Sequence, residues 1–227
     1  ELLTGILRDR WGFHGLVMTD WGAVDNRANG IAAGLELEMP SSGGLNDRAA
    51  IVAVEDGSLG LADLDQAASR VTQMILAAQH NDLPSEVDFE AHHALAQRAA
   101  AEGAVLLKND SGILPLAKTG SLALIGGFAQ TPRFQGAGSS QVNAFQIDTP
   151  LQAMQDRLGA DQVIYAQGFD VELAACDDAL IAQAVAAAQQ AERAVLMVGL
   201  PALFEAEGFD RAHLRQPLQL DTLVEAV

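Results

Sequence analysis

The chain has 227 residues, 49% of them hydrophobic, so it can fill one large domain or two small ones and is far too apolar to be disordered. Thirteen basic residues against 30 acidic ones give a net charge of −17, which argues against a phosphate-neutralising surface for nucleic acid and suits a neutral ligand. The single cysteine, Cys176, excludes an intrachain disulfide and fits a reducing, cytoplasmic setting, and no apolar run approaches the ~18 residues needed to span a bilayer.

In chain order, the first element is an amphipathic helix over about residues 1–9, with Leu2, Leu3, Ile6 and Leu7 on one face. The chain begins inside this pattern without a methionine and ends abruptly in "DTLVEAV", so a longer parent protein is expected. The turn "WGFHG" leads to the short apolar strand "LVM", and Asp20 and Trp21 follow where that run stops. "WGAVDNRANGIAAG" reads as a helix closed by Gly34, and "LELEM" as a second strand ended by Pro40 and the loop "SSGGLND". In "DLDQAASRVTQMILAAQ" the residues Leu64, Ala67, Ala68, Val71, Ile75 and Ala78 recur at helical spacing, with Asp63 placed as N-cap. A polar stretch holding Pro84 marks a domain boundary.

A second alternation follows. "AHHALAQRAAAEGAVLLKND" reads as a helix, "SLALIGG" as a strand, "TPLQAMQDRL" as a helix starting near Thr149, and "QVIYA" as a strand. "DALIAQAVAAAQQAE" is a further helix and "RAVLMVG" a strand apolar enough to be buried on both faces. Helices alternating with short apolar strands predict α/β architecture with a parallel sheet in both parts. No internal repeat is present.

Ligands of parallel α/β sheets gather beyond the carboxyl ends of the strands. Asp20 ends the first strand, Glu38 lies near the end of the second, and Glu205, Glu207 and Asp210 follow "RAVLMVG". Taken singly, each reads as a solvated loop acid or a helix cap. Two carboxylates in different environments, one ionised and one kept protonated, could together perform nucleophilic and general-acid chemistry. Asp20 and Glu207 fall in different predicted domains, so their site is expected at a domain interface. Trp21 and Phe209 each stand within two residues of such an acid, and a flat ring beside a carboxylate is what a sugar face stacks on.

The glycines of "SLALIGGFAQ" and "FQGAGSSQV" form no GxGxxG opening directly on a helix and no GxxxxGK[ST], so nucleotide binding is a weak reading. That stretch, with Ser139 and Ser140, reads better as a tight loop lining a polar cleft. His92 and His93 are adjacent on a helix and so point about 100° apart, a poor geometry for chelating a metal.

"LLTGILRDRWGFHGLVMTDWGAV", "AGLELEMP", "AQRAAAEGAVLLKNDSGILPL" and "FEAEGFDR", in that order, closely resemble the signatures of glycoside hydrolase family 3, chiefly its bacterial β-glucosidases. The resemblance implies that residues 1–80 are the last units of a (β/α)8-type barrel, 81–98 a linker and lead-in helix, and 99–227 an α/β sandwich. About six barrel units, with the sugar-gripping residues they carry in the family, are missing from this sequence, and the sandwich stops shortly after its catalytic loop. It implies Asp20 as the catalytic nucleophile, Glu207 as the general acid/base, and Trp21, Ser139 and Ser140 beside the sugar. The reaction implied is the retaining hydrolysis of terminal β-D-glucosyl residues without metal or cofactor. The alternatives are a β-xylosidase or α-L-arabinofuranosidase of the same family, or a non-catalytic carbohydrate-binding or assembly module. A carbohydrate substrate is the expected partner, with no nucleic acid or membrane. A homodimer or the rest of the parent chain is expected to cover the incomplete barrel, and a chain of this length alone is expected to be weakly active or inactive.

Overall fold

A computed structural model describes residues 1–80, 86–208 and 210–227; the boundary expected at Pro84 and the expected sugar-stacking residue Phe209 lie outside the described residues. The chain divides into two compact units, Glu1–Val87 and Asp88–Val227.

The first unit opens with a π-helix, Leu2–Arg10, whose N–H groups reach back five residues, as in Ile6 N–H to Glu1 O and Trp11 N–H to Ile6 O, both at 3.0 Å. Helix α1 (Arg27–Ala33) ends at the left-handed Gly34, as its sequence predicts, but starts only at Asn26, whose side chain accepts the Asn29 N–H, so the preceding "WGAVD" is not helical. Helix α2 (Leu45–Glu55) was not expected. It begins at a left-handed Gly44 with no side-chain cap, and its "AIVAV" stretch is β-branched, so neither a start signal nor a clear helical stripe announces it. Helix α3 (Leu61–Gln79) starts two residues before Asp63 with Gly60 at its N-cap position, so Asp63 is not the N-cap but an acid in the first turn, where it complements the helix dipole. Ile31, Ala50, Ala53, Leu59 and Ala67 form the small buried core.

The two strands expected in this unit reduce to one parallel bridge, Met18 with Leu37. The N–H groups of Glu36 and Leu37 both donate to Val17 O, at 3.1 Å each, so two residues face one and the regular ladder stops, as at a bulge. A buried ion cluster holds this junction. Glu36, with a fully buried side chain, accepts from Arg8 Nη2 at 2.7 and 2.8 Å, from Arg70 Nη1 at 2.7 Å and from the Val17 N–H at 2.7 Å. Arg8 also donates to Gly15 O at 2.9 Å and Gly34 O at 3.1 Å, while Arg27 donates to Leu35 O at 3.1 Å and Glu36 O at 2.7 Å.

In the second unit, helix α4 (Phe89–Gly103) begins with the Asp88 side chain accepting the Ala91 N–H. The helix expected to run on to about residue 110 stops at Gly103, where Ala104 turns extended ahead of β-branched Val105. Strands β1 (Leu122–Ile125), β2 (Val163–Ala166) and β3 (Arg193–Leu196) form a parallel sheet, and among the described residues its order is β2-β1-β3. Helix α5 (Pro150–Leu158), capped by Thr149, connects β1 to β2, and α6 (Asp178–Gln189), capped by Asp177, connects β2 to β3.

Period-two alternation decides which helix covers which face. Ala123 and Ile125 of β1 meet Ala184 and Ala187 of α6 together with Leu220 and Leu223 of α7 (Leu218–Ala226), a helix the sequence pattern did not single out. Leu124 packs on the opposite face against Leu151, Met154 and Leu158 of α5. Helix, sheet and helix thus make three layers around β1, whose residues are at most 1% exposed. β3, expected to be buried on both faces, is only half-buried because it stands at an edge of the described sheet, with Ala194 exposed.

Because removing one member of a buried ion cluster leaves its partners desolvated and unpaired, Glu36→Gln is expected to lower the stability of the first unit by about 3–5 kcal/mol. Urea unfolding of the full-length protein measures this, and an unchanged midpoint would show that the cluster does not hold the unit together.

Candidate functional site

In the first unit the site is built on the segment that follows the Met18–Leu37 bridge. Thr19 fastens it to the neighbouring segment: its N–H donates to Leu37 O at 3.0 Å, its hydroxyl donates to Met39 O at 3.2 Å, and the Met39 N–H donates to that hydroxyl at 2.9 Å. Asp20 comes next, at the carboxyl end of a parallel pair, with its side chain exposed. Its Oδ1 accepts the Trp21 N–H at 2.6 Å, and its carbonyl accepts the Ala23 N–H at 3.2 Å, so the chain turns immediately after it. Gly22 N–H donates to Met39 O at 2.8 Å and closes that turn. Trp21 is 71% exposed, and Met18 is exposed as well, an apolar surface beside a carboxylate.

Glu38, the other acid singled out here, is engaged in structure: Asn46 Nδ2 donates to Oε1 at 2.5 Å, and Arg27 Nε lies 3.9 Å from Oε2. The acid that organises the segment is Glu36, which the sequence did not reveal. The alternation of "LELEM" places Glu36 and Glu38 alike, and only the fold brings Arg8, Arg70 and Val17 to the former.

In the second unit the topology makes the site. The connection from β1 to β2 runs over one face and that from β2 to β3 over the other, so the order reverses beside β1 and the loops after β1 and β3 open next to each other. They start in close contact: Met197 N–H donates to Ile125 O at 2.7 Å, and a Cβ on Gly126 (φ +126°) would lie 2.3 Å from Met197 O. Further out the loop after β1 presents Ser139, whose hydroxyl and N–H both donate to Glu207 Oε2, the latter at 3.1 Å. Gly138 makes that approach possible, since at φ +89° a Cβ there would sit 3.0 Å from Glu207 Cβ and 3.1 Å from Oε2. Arg133 to Ala137 and Glu205 to Glu207 line an open pocket of about 440 Å³.

The expected residues Ser139 and Glu207 are therefore brought together, while Ser140 is exposed on the same loop. Glu205 is bound to Arg133, a lone arginine in "TPRFQG" whose sequence gives no sign of what it meets. His93 Nε2 lies 3.0 Å from Asp148 Oδ2, and Gln97 and Gln146 hydrogen bond to the same carboxylate. Gln97 and Gln146, with His93 in support, hold the Asp148 carboxyl below the usual carboxylate range. Burial, and then the charge of Asp177, push the Cys176 thiol up, and the thiol donates to Gln219 O at 2.8 Å.

Residues 104–227 match the glycosyl hydrolase family 3 C-terminal domain. The whole chain is 42% identical over 229 residues to thermostable beta-glucosidase B of Acetivibrio thermocellus, and 41% identical over 239 residues to an exo-alpha-(1->6)-L-arabinopyranosidase of Bifidobacterium breve. It spans 30% and 31% of the lengths of those two relatives. Among solved structures it is similar to a GH3 beta-glucosidase of Bifidobacterium adolescentis, with a TM-score of 0.86 and 38% identity over 99% of this chain and 33% of that one.

Because its pKa is raised in the folded chain, the Cys176 thiol stays protonated where an unfolded cysteine, near 9.0, has begun to ionise. Reaction with a disulfide reagent at pH 8 is expected to be several-fold slower in the folded than in the urea-unfolded protein, since the thiolate is the nucleophile. The matching contribution to stability is present below pH 9 and lost as pH rises through the folded pKa. Equal modification rates in the two states would contradict the assignment.

Proposed function

The chain belongs to glycoside hydrolase family 3, and we propose that the whole protein is a β-glucosidase that releases terminal non-reducing β-D-glucosyl residues with retention of configuration. The likeness of the entire chain to a protein named as a beta-glucosidase carries this reading. We assign the first unit to the last βα units of a (β/α)8 barrel, for which the parallel Met18–Leu37 bridge between helices is the support. Exposed apolar residues of α2 and α3, among them Ile51, Val52, Met74 and Ile75, are then surfaces for the remaining barrel elements.

In the proposed reaction Asp20 attacks the anomeric carbon as the bond to the leaving oxygen breaks, and Glu207 gives that oxygen its proton. Water then attacks the glycosyl ester, Glu207 takes the water's proton, and Asp20 departs as a carboxylate. The double displacement needs the two carboxyls about 5–5.5 Å apart when sugar is bound, and it uses neither metal nor cofactor. Asp20 Oδ2 is assigned the attack, since Oδ1 accepts the Trp21 N–H and among the described residues no group donates to Oδ2. Exposed Trp21 offers a ring on which a sugar face can stack.

A second reading, a pentosidase, is supported by the relative named as an arabinopyranosidase. A panel of nitrophenyl β-D-glucoside, β-D-xyloside, α-L-arabinopyranoside and α-L-arabinofuranoside, ranked by kcat/KM on the full-length protein, separates the two; a glucoside that ranks last overturns the leading reading.

Two variants test the roles. Asp20→Gly is expected to lower turnover roughly 10⁴-fold or more, on the scale of deleting a covalent nucleophile, and azide should restore it by forming the inverted glycosyl azide. Turnover retained without azide would remove Asp20 from the mechanism. Glu207→Gln should cost about 10²–10⁴-fold in kcat/KM for glucosides with poor leaving groups and far less for dinitrophenyl glucoside, which needs little protonation.

A further inference from the structure

One side chain joins the two loops on which the proposed acid/base depends. Arg133, in the loop after β1, donates from Nη1 to Leu200 O at 3.0 Å and to Glu205 Oε2 at 3.0 Å, and from Nη2 to Glu205 O at 2.9 Å. Its side chain is about three-quarters buried, 24% exposed, although the Glu205 side chain beside it is 54% exposed. The residues so held, 200 to 205, lead directly into Glu207. Six residues after Arg133 the same loop supplies Ser139, which binds Glu207 Oε2.

Resting on the assignment of Glu207 as general acid, we propose that Arg133 is the positioning residue for that acid: it fixes the loop after β3 against the loop after β1, so that the Glu207 carboxyl meets the leaving oxygen. A guanidinium suits this task because its rigid fork serves three acceptors on two residues at once, whereas an ammonium is a single point charge on a flexible stem. Its charge is met by Glu205, so its place in the pocket wall is structural rather than a contact with a charged substrate. Proton transfer requires donor and acceptor oxygens within about 2.6–3.2 Å, and a displacement of the order of 1 Å costs about 10²-fold. The loss should therefore appear where protonation of the leaving group is needed and vanish where it is not.

The test uses the full-length protein and aryl β-D-glucosides whose phenols range from dinitrophenol to phenol, read as kcat/KM, which reports the first displacement alone. Arg133→Met should lose about 10²-fold on phenyl glucoside and less than about threefold on dinitrophenyl glucoside, giving a steeper dependence on phenol pKa than the parent. Arg133→Lys, which keeps a cation and guards against a variant that folds poorly, should fall between them. Equal losses across the series, or none on phenyl glucoside, overturn the positioning role. If Glu207→Gln shows no leaving-group dependence, the acid assignment fails and this proposal with it. A steep Glu207→Gln series beside a flat Arg133→Met series overturns the role of Arg133 alone.

Discussion

A carboxylate with no solvent exposure is the constraint around which the first unit is arranged. Burying an ion costs several kcal/mol unless every lone pair finds a donor, and Glu36 meets that condition with groups drawn from three places: Arg8 of the π-helix, Arg70 of α3 and the Val17 N–H of the segment that precedes Asp20. Arg8 is itself tied down, to Gly15 O and Gly34 O. Sliding the Val17 segment by one residue against the Glu36 segment would leave a buried carboxylate short of a donor. The cluster thus specifies one register where a single β-bridge could not, and the place of Asp20 follows from it.

The second unit solves the corresponding problem with apolar packing. β1 carries no polar side chain, and its alternate residues commit to α6 and α7 on one face and α5 on the other. That commitment produces the β2-β1-β3 order, and the reversal beside β1 is why the loops carrying Ser139 and Glu207 leave the sheet together. Close backbone approach at Gly126 and again at Gly138 then allows the two loops to meet without an intervening side chain. Core and site are coupled here, since a sheet with β2 in the middle would separate the two loops.

What could be read in advance follows the range of the interaction that decides it. The helix start at Thr149, the stop at Gly34 and the strands of the second unit depend on contacts a few residues long, and they stand where the pattern places them. The β-branched stretch and capless start of α2 carry no local sign of a helix, and α4 is shorter than its pattern because the apolar run continues past the residue where the backbone turns extended. The burial of β3 was misjudged because composition reports how apolar a strand is, not how many neighbours it has.

The same division runs through the site. Asp20 and Glu207 stand in short motifs, at or beyond the ends of predicted strands, and those motifs rather than either acid alone carry the resemblance that singles them out. Glu36 and Arg133 are not singled out, because their partners lie 19 to 34 and 67 to 72 residues away in the chain. A charged residue is ambiguous in a sequence that holds 43 of them until the fold names its partner. In each unit the exposed acid proposed for catalysis thus has a local sequence motif, and the partly or fully buried ion pair near its segment has none that spans both partners. The reason is physical: a reacting group must remain open to substrate and is tethered by its immediate neighbours, whereas an orienting group acts only by bridging segments that are far apart in sequence.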